Sequence, residues 1–321
     1  MQLDAILVNS GAKFRKEILA MPVVALEKTL KHMTVRKGVR GDETVGGYDS
    51  GAEIRPYLAT GKGATDTGKF AARTLTTYLG DVVEEFDPYQ LFATVYGEQF
   101  SSLTERKEAD IVKDMALAMA KKVSSKLGKN IFKAVRNASG TTTADLFNGF
   151  NTIAAKEITD FNVTVANGNL HIYTAITANN AGDQLKAIYA AASDELRDAE
   201  ELKMFVPQAV LDAYEEWCLA TLGAVAYNQT YAKHRLHCAE NVELVALPGM
   251  KGAEYIYLTD KGNMLVGTDQ KSDTEKAKIR ECDNPKALQF FMCLYWGVQF
   301  ESIAPERILI ARTTAAPVKQ G

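Results

Sequence analysis

Apolar residues recur at helical spacing most clearly in the second quarter of the chain. Ile111, Met115, Met119 and Val123 step by four, with Val112, Leu117 and Leu127 beside them and charged residues on the other faces. That is the pattern of an amphipathic helix. Ser102-Leu103-Thr104-Glu105 supplies a capping box ahead of it and Gly128 a stop, so a long helix is predicted over 102–127. Residues 144–158 also read as helical, with Gly149 inside. Leu185, Ile188, Tyr189, Ala192 and Leu196 predict a helix over 184–198, and Pro207 opens another carrying Val210, Leu211, Tyr214, Trp217 and Cys218 on one side. Strand patterns fall at 33–39, 53–58, 73–83 and 203–206, then at 242–247, 255–259, 264–268, 290–300 and 307–311. Two more, 162–165 and 170–175, flank Asn167-Gly168 and predict a hairpin. Helices in the middle and strands toward the end, without regular alternation, indicate α+β rather than doubly wound α/β.

Glycine is unevenly spread: nine of the 23 lie between residues 34 and 86. A polar, glycine-dense stretch has high chain entropy and few core anchors, and so long a loop in a compact domain calls for a job. Two readings stand side by side. One is a two-stranded ribbon reaching away from the body, marginal alone and steadied by another chain; the other is a mobile surface insertion.

Composition narrows the classes. The 321 residues carry 37 Lys+Arg against 40 Asp+Glu, a net charge of -3, which excludes a strongly basic nucleic-acid binder. The 46% hydrophobic and 24% charged fractions are those of a globular chain. No apolar run reaches the roughly 18 residues of a membrane span, and the N-terminal stretch, with Asp4 and no basic region, does not read as a secretory signal. Cys218, Cys238, Cys282 and Cys293 are scattered without a CxxC pair, so buried thiols in a reducing compartment are expected rather than a disulfide framework.

Motifs that could carry chemistry fall short. Residues 63–69 match GxxxxGK, but Phe70 stands where a phosphate loop needs Ser or Thr for magnesium, and strand-type residues follow where a helix is required. His234, His237 and Cys238 would share a face on a helix and suit zinc. No fourth ligand stands at a motif spacing, however, and Lys233 and Arg235 add positive charge, so no metal is assigned. His32 and His171 are isolated, there is no GxSxG elbow, and Glu84-Glu85 and Glu215-Glu216 point to diverging faces. The expectation is a structural protein, not an enzyme, with no cofactor.

The order of parts, with several local stretches, resembles the tailed-bacteriophage major capsid proteins of the Hong Kong ninety-seven fold. Asp145-Leu146-Phe147-Asn148-Gly149-Phe150 looks like that family's "LFDGF" turn. Met204-Phe205-Val206-Pro207 is similar to its strand-proline-helix step, and residues 291–300 followed by Ala304-Pro305-Glu306-Arg307-Ile308-Leu309-Ile310 to its closing strands. The resemblance implies an N-terminal arm at 1–33, an extended β-ribbon loop at 34–86 and a peripheral domain at 87–220 plus 278–312. The spine helix at 102–127 lies within the peripheral domain; an axial domain takes 221–277 and a C-terminal tail 313–321. It further implies a subunit that self-associates into hexamers and pentamers and an icosahedral shell around double-stranded DNA. That places it in the virion, with assembly in the host cytoplasm and no membrane. Arg40, Arg55, Lys62 and Lys69 are candidate subunit-interface residues; equally they keep the ribbon soluble. Some relatives crosslink a loop lysine to a neighbour's asparagine, and Lys62 and Lys69 lie in the right segment without an identifiable partner. Little sequence precedes the arm, and a chain beginning at Met1 favours a separate scaffold protein; portal and decoration proteins are further implied partners. An encapsulin-type compartment housing an enzyme shares the fold and is the alternative. A P-loop-like nucleotide hydrolase is a remote third.

Overall fold

The computed structural model describes residues 26–49, 69–86, 108–223, 227–228, 233–237, 239–269, 277–281 and 288–313. In chain order a short helix α1 (Glu27–Leu30) leads to β1 (Thr34–Lys37), β2 (Asp42–Asp49), β3 (Lys69–Thr76) and β4 (Tyr78–Phe86). The long helix α2 (Glu108–Asn130) and α3 (Phe150–Thr159) follow. After them come β5 (Leu170–Tyr173), α4 (Ala181–Ala190), α5 (Asp194–Arg197), β6 (Leu202–Val206) and α6 (Gln208–Leu222). The remainder is strand: β7 (Tyr227–Asn228), β8 (Lys233–Leu236), β9 (Ala239–Ala246), β10 (Tyr255–Thr259) and β11 (Met264–Thr268). The last three are β12 (Ala277–Glu281), β13 (Leu288–Phe300) and β14 (Ile308–Thr313). The chain divides into two compact units, with cuts inside β11 and β13.

The first unit takes residues up to Gly41, Thr77–Gly149 and Val266–Gly297. Its sheet runs β1-β11-β13-β12, and β4 lies antiparallel along β13 from Phe86↔Leu288 to Tyr78↔Trp296. Helix α2 turns Ala120, Ser124 and Leu127 inward, three positions that recur on one helical face. The predicted stop at Gly128 is not one. The helix runs on to Asn130, and Gly128 is where Leu26 approaches so closely that a Cβ would stand 2.7 Å from its side chain. The capping box at 102–105 lies outside the described residues.

The helix expected over 144–158 starts later. A 3-10 turn, Thr143–Asp145, is closed by a reciprocal capping box in which Asp145 accepts from the Thr142 amide and hydroxyl. Those bonds favour the charged carboxylate and hold Asp145 below its ordinary value. Gly149 then passes against the backbone of Phe132, donating to the Ala134 carbonyl at 2.8 Å, and α3 begins at Phe150.

The second unit is built on a mixed seven-stranded sheet, β5-β14-β10-β6-β9-β8-β7. Leu185, Ile188, Leu196, Leu211 and Tyr214 from the helices pack on Met204, Val206, Leu244, Ile256, Leu258 and Leu309 of the strands. Elsewhere in this unit Phe300 lies 5.0 Å from Phe150 of α3 and 5.6 Å from Tyr257, whose hydroxyl donates to Asn151 Oδ1 at 2.7 Å. Burial pushes the Tyr257 phenol well above its usual range. Every residue of β6 and of β11 is buried, Lys203 included.

Two local readings need correction here. The helix predicted over 184–198 breaks after Ala190, and Ser193 caps the short α5 by accepting from the Leu196 amide. The hairpin at Asn167-Gly168 does not form. Asn169 instead accepts from Thr164 N and donates to the carbonyls of Asn162 and Ile303, so side-chain bonds fix 162–169 as a loop. Strand β5 then pairs in parallel with β14, which buries Leu170 and Tyr173.

Candidate assembly interface

Strands β2 and β3 form a two-stranded ribbon of their own, in unbroken antiparallel register from Asp42↔Thr76 to Asp49↔Lys69. The chain is pinched where it enters and leaves. Thr77 is buried; its amide donates to the Gly41 carbonyl at 2.8 Å, and its hydroxyl accepts from Gly41 N at 3.0 Å. Inside the ribbon Gly46 adopts φ +136°, and a Cβ there would stand 2.1 Å from the Ala71 carbonyl oxygen. Only glycine lets the strands close at that point.

The root of the ribbon is gripped from one side. Val45 and Leu75 are buried against Leu265, while Asp42, Thr44, Gly47, Ala71, Ala72 and Thr74 are exposed. Between them Arg73 makes the polar anchor. Its Nη2 donates to Glu157 Oε1 at 2.6 Å and to Gln299 Oε1 at 3.1 Å, and its Nε donates to the Phe300 carbonyl at 3.1 Å. Gln299 returns a bond to the Thr74 carbonyl at 2.9 Å, and Asn162 donates to the other oxygen of Glu157 at 2.8 Å.

The ribbon is shorter than the glycine distribution suggested. Strands β1 and β4, at the two ends of the 34–86 stretch, belong to the sheet of the first unit, where β13 offers β4 nine successive pairing positions. Of the four candidate interface residues, Arg40 precedes the ribbon and pairs with Asp269 of its own chain at 2.5 Å, the guanidinium half exposed and the carboxylate fully buried. Lys69 opens β3 opposite Asp49. Arg55 and Lys62 lie outside the described residues, as do the residues between β2 and β3.

Other candidate chemistry resolves in the same way. Residues 69–76 are strand, so no helix follows the GxxxxGK stretch to receive a phosphate. His234 sits on β8 beside Glu215, Nδ1 to Oε1 2.9 Å, and His237 falls in the turn after that strand, so the two do not share a helical face. Cys238 lies outside the described residues. Among the described residues no group of three or more His, Cys, Asp or Glu converges as metal ligands would, and no helix is long and apolar enough to cross a membrane.

Neither a known family model nor a curated protein matches the sequence. Solved structures do match the fold. The satellite phage P4 procapsid superposes with a TM-score of 0.58 at 11% identity, covering 90% of this chain and 96% of that one. The cyanophage A-1(L) capsid gives 0.56 at 13% identity, covering 92% of each. This chain has the tailed-phage capsid fold. The holo-SrpI encapsulin complex from Synechococcus elongatus is a further likeness, with a TM-score of 0.50 at 10% identity over 88% of this chain and 86% of that one. At such identities the likeness is one of fold. The α+β class and the capsid-fold resemblance expected from the sequence are both borne out. The stretches behind that resemblance sit at structural joints of the capsid fold. Phe147 and Gly149 seat the turn before α3, Pro207 separates β6 from α6, and Arg307 reaches Glu301 at 2.9 Å just before β14.

Arg73 and Glu157 were not anticipated. They are 84 positions apart, and nothing in either neighbourhood marks them.

Proposed function

We propose that the chain is a major capsid subunit, many copies of which close into an icosahedral shell around the double-stranded DNA of a tailed phage or prophage. One observation carries the reading: the likeness to capsid subunits runs nearly end to end in both directions, 90% of this chain and 96% of the P4 protein, instead of matching a shared core. The ribbon agrees with it. Its paired strands rest on their own subunit through one side of the root and leave Asp42, Thr44, Gly47, Ala71, Ala72 and Thr74 exposed, as expected of an element completed by a neighbour.

In this reading the ribbon lies across an adjacent copy and Lys69, Arg55 and Lys62 face that copy's acids, while Arg40 is already engaged with Asp269. Residues 87–220 with 278–312 form the peripheral domain and 221–277 the axial domain. Repeated contacts of about 2,000 Å² or more per subunit pair supply cumulative strength. The net charge of -3 suits a container that must release its genome, because a basic lining would retain it. Scaffold, portal and decoration proteins would be separate chains.

Electron microscopy of the purified protein tests the proposal. Rings, tubes or closed shells are expected, and a monomer at high concentration counts against it. The encapsulin likeness supports a second reading, a compartment for protein cargo. Nucleic acid released from purified particles favours the first; a co-purifying enzyme favours the second.

A further inference from the structure

We infer that Arg73 is a positioning residue, fixing the bearing of the ribbon on its own subunit before a second copy is met. The inference rests on the reading of the ribbon as an element laid across a neighbour. Val45 and Leu75 give the root its grip, but apolar burial has no preferred direction. A two-stranded ribbon held only by such contacts is free to rock. Direction has to come from bonds with fixed geometry, and the guanidinium provides them: a planar fork whose donors point along set lines. Here the fork meets acceptors from separate elements, Glu157 on α3 and Gln299 and Phe300 at the end of β13. Both charged side chains are largely enclosed, at 14% and 13% exposure. The return bond from Gln299 to Thr74 O holds the next residue of the strand as well.

Leverage makes this anchor matter. From Arg73 to the start of β3 at Lys69 is about 13 Å at the usual strand rise, so a tilt of about 10° at the root moves that end by about 2 Å. A displacement of this size exceeds what a well-packed interface tolerates. A lysine at position 73 keeps the charge but replaces the planar fork with a rotating ammonium whose donors have no fixed directions.

Three variants test the assignment: Arg73→Gln, Arg73→Lys and Glu157→Gln, each compared with the wild-type full chain. In the unassembled subunit, amide hydrogen exchange over 70–76 should accelerate at least tenfold in Arg73→Gln, while amides of β6 and β10 keep their wild-type rates. In assembled samples, electron microscopy should show one size class for wild type, mixed sizes or open sheets for Arg73→Gln and Glu157→Gln, and an intermediate spread for Arg73→Lys. Particles of wild-type size from both glutamine variants overturn the inference, as does unchanged exchange. If wild type itself forms no particles the shell reading fails, and the exchange measurement still decides whether Arg73 holds the ribbon. Should Arg73→Gln not fold, the other two variants carry the same comparison.

Discussion

Replacing Lys203 by methionine tests how the seven-stranded sheet tolerates charge at its centre. Lys203 lies on β6, which has β10 on one side and β9 on the other, and every residue of this strand is buried. Its register partner on β9 is Glu243, with Nζ 2.8 Å from Oε2, and the two side chains keep only 7% and 12% of their exposure. Removing the ammonium takes from the Glu243 carboxylate its partner on β6 in a nearly dry site, which costs about 3–5 kcal/mol. Removing both charges, as Lys203→Met with Glu243→Leu, restores an apolar contact of similar volume and should sit within about 1 kcal/mol of wild type. The two single costs should therefore fail to add by at least about 2 kcal/mol. Guanidinium unfolding of the dilute subunit, read from midpoint and slope, measures the cycle. Additivity to within about 0.5 kcal/mol would show that the pair is not desolvated, and the account of β6 as a strand buried on both faces would fall with it.

Three further perturbations have definite signs. Gly149→Ala puts a Cβ 2.5 Å from the carbonyl carbon and oxygen of Phe132 and 2.8 Å from Ala134 N, so backbone must move; a loss of about 2 kcal/mol or more is expected from the unfolding midpoint, and wild-type stability would contradict it. Phe161 ends α3 in the left-handed region, φ +60°, with 79% of its surface exposed; Phe161→Gly should stabilise the unassembled subunit by about 0.5–1 kcal/mol, read from a raised unfolding midpoint, since glycine takes that conformation without strain. Burial lowers the pKa of His171 from 6.5, so the unfolded chain takes its proton first as pH falls. Its contribution is intact above pH 6.5, drains away as pH drops through the depressed folded value, and is flat below; His171→Asn should flatten that part of the stability–pH curve.

How much of this was legible beforehand depends on the range of the interactions involved. The strand at 255–259 and that at 264–268 were read to the residue, because each is short, apolar and bounded by glycine or proline turns. The helix after Pro207 was equally plain, since a fixed φ and an apolar stripe are both local. Errors cluster where a distant partner decides. Gly128 reads as a stop because glycine is a poor helix former, yet what it answers to is Leu26, about a hundred positions earlier. Asn167-Gly168 reads as a hairpin because the turn chemistry is right, and Gly168 does take φ +75°, but the strand on one side finds β14 instead. Local propensity was overridden at Gly128 and obeyed at Gly168, and in both cases the inference from it failed.

The candidate interface divides along the same line. Glycine density pointed to a segment with too little apolar content to fold alone, and β2 and β3 do stand apart from both larger sheets. Density alone could not show where the ribbon begins, because Tyr78–Phe86 carries the same strand-type residues as Lys69–Thr76; only β13, with its long run of partners, claims one and not the other. Nor could it show what holds the ribbon's root. Arg40, Arg55, Lys62 and Lys69 stood out as cations in a polar stretch, whereas Arg73 lay inside what read as an ordinary strand. Yet the Arg73 guanidinium meets three acceptors within 3.1 Å. A cation's value to assembly depends on how many fixed acceptors surround it, and that number is a property of the fold, set by α3 and the end of β13 together.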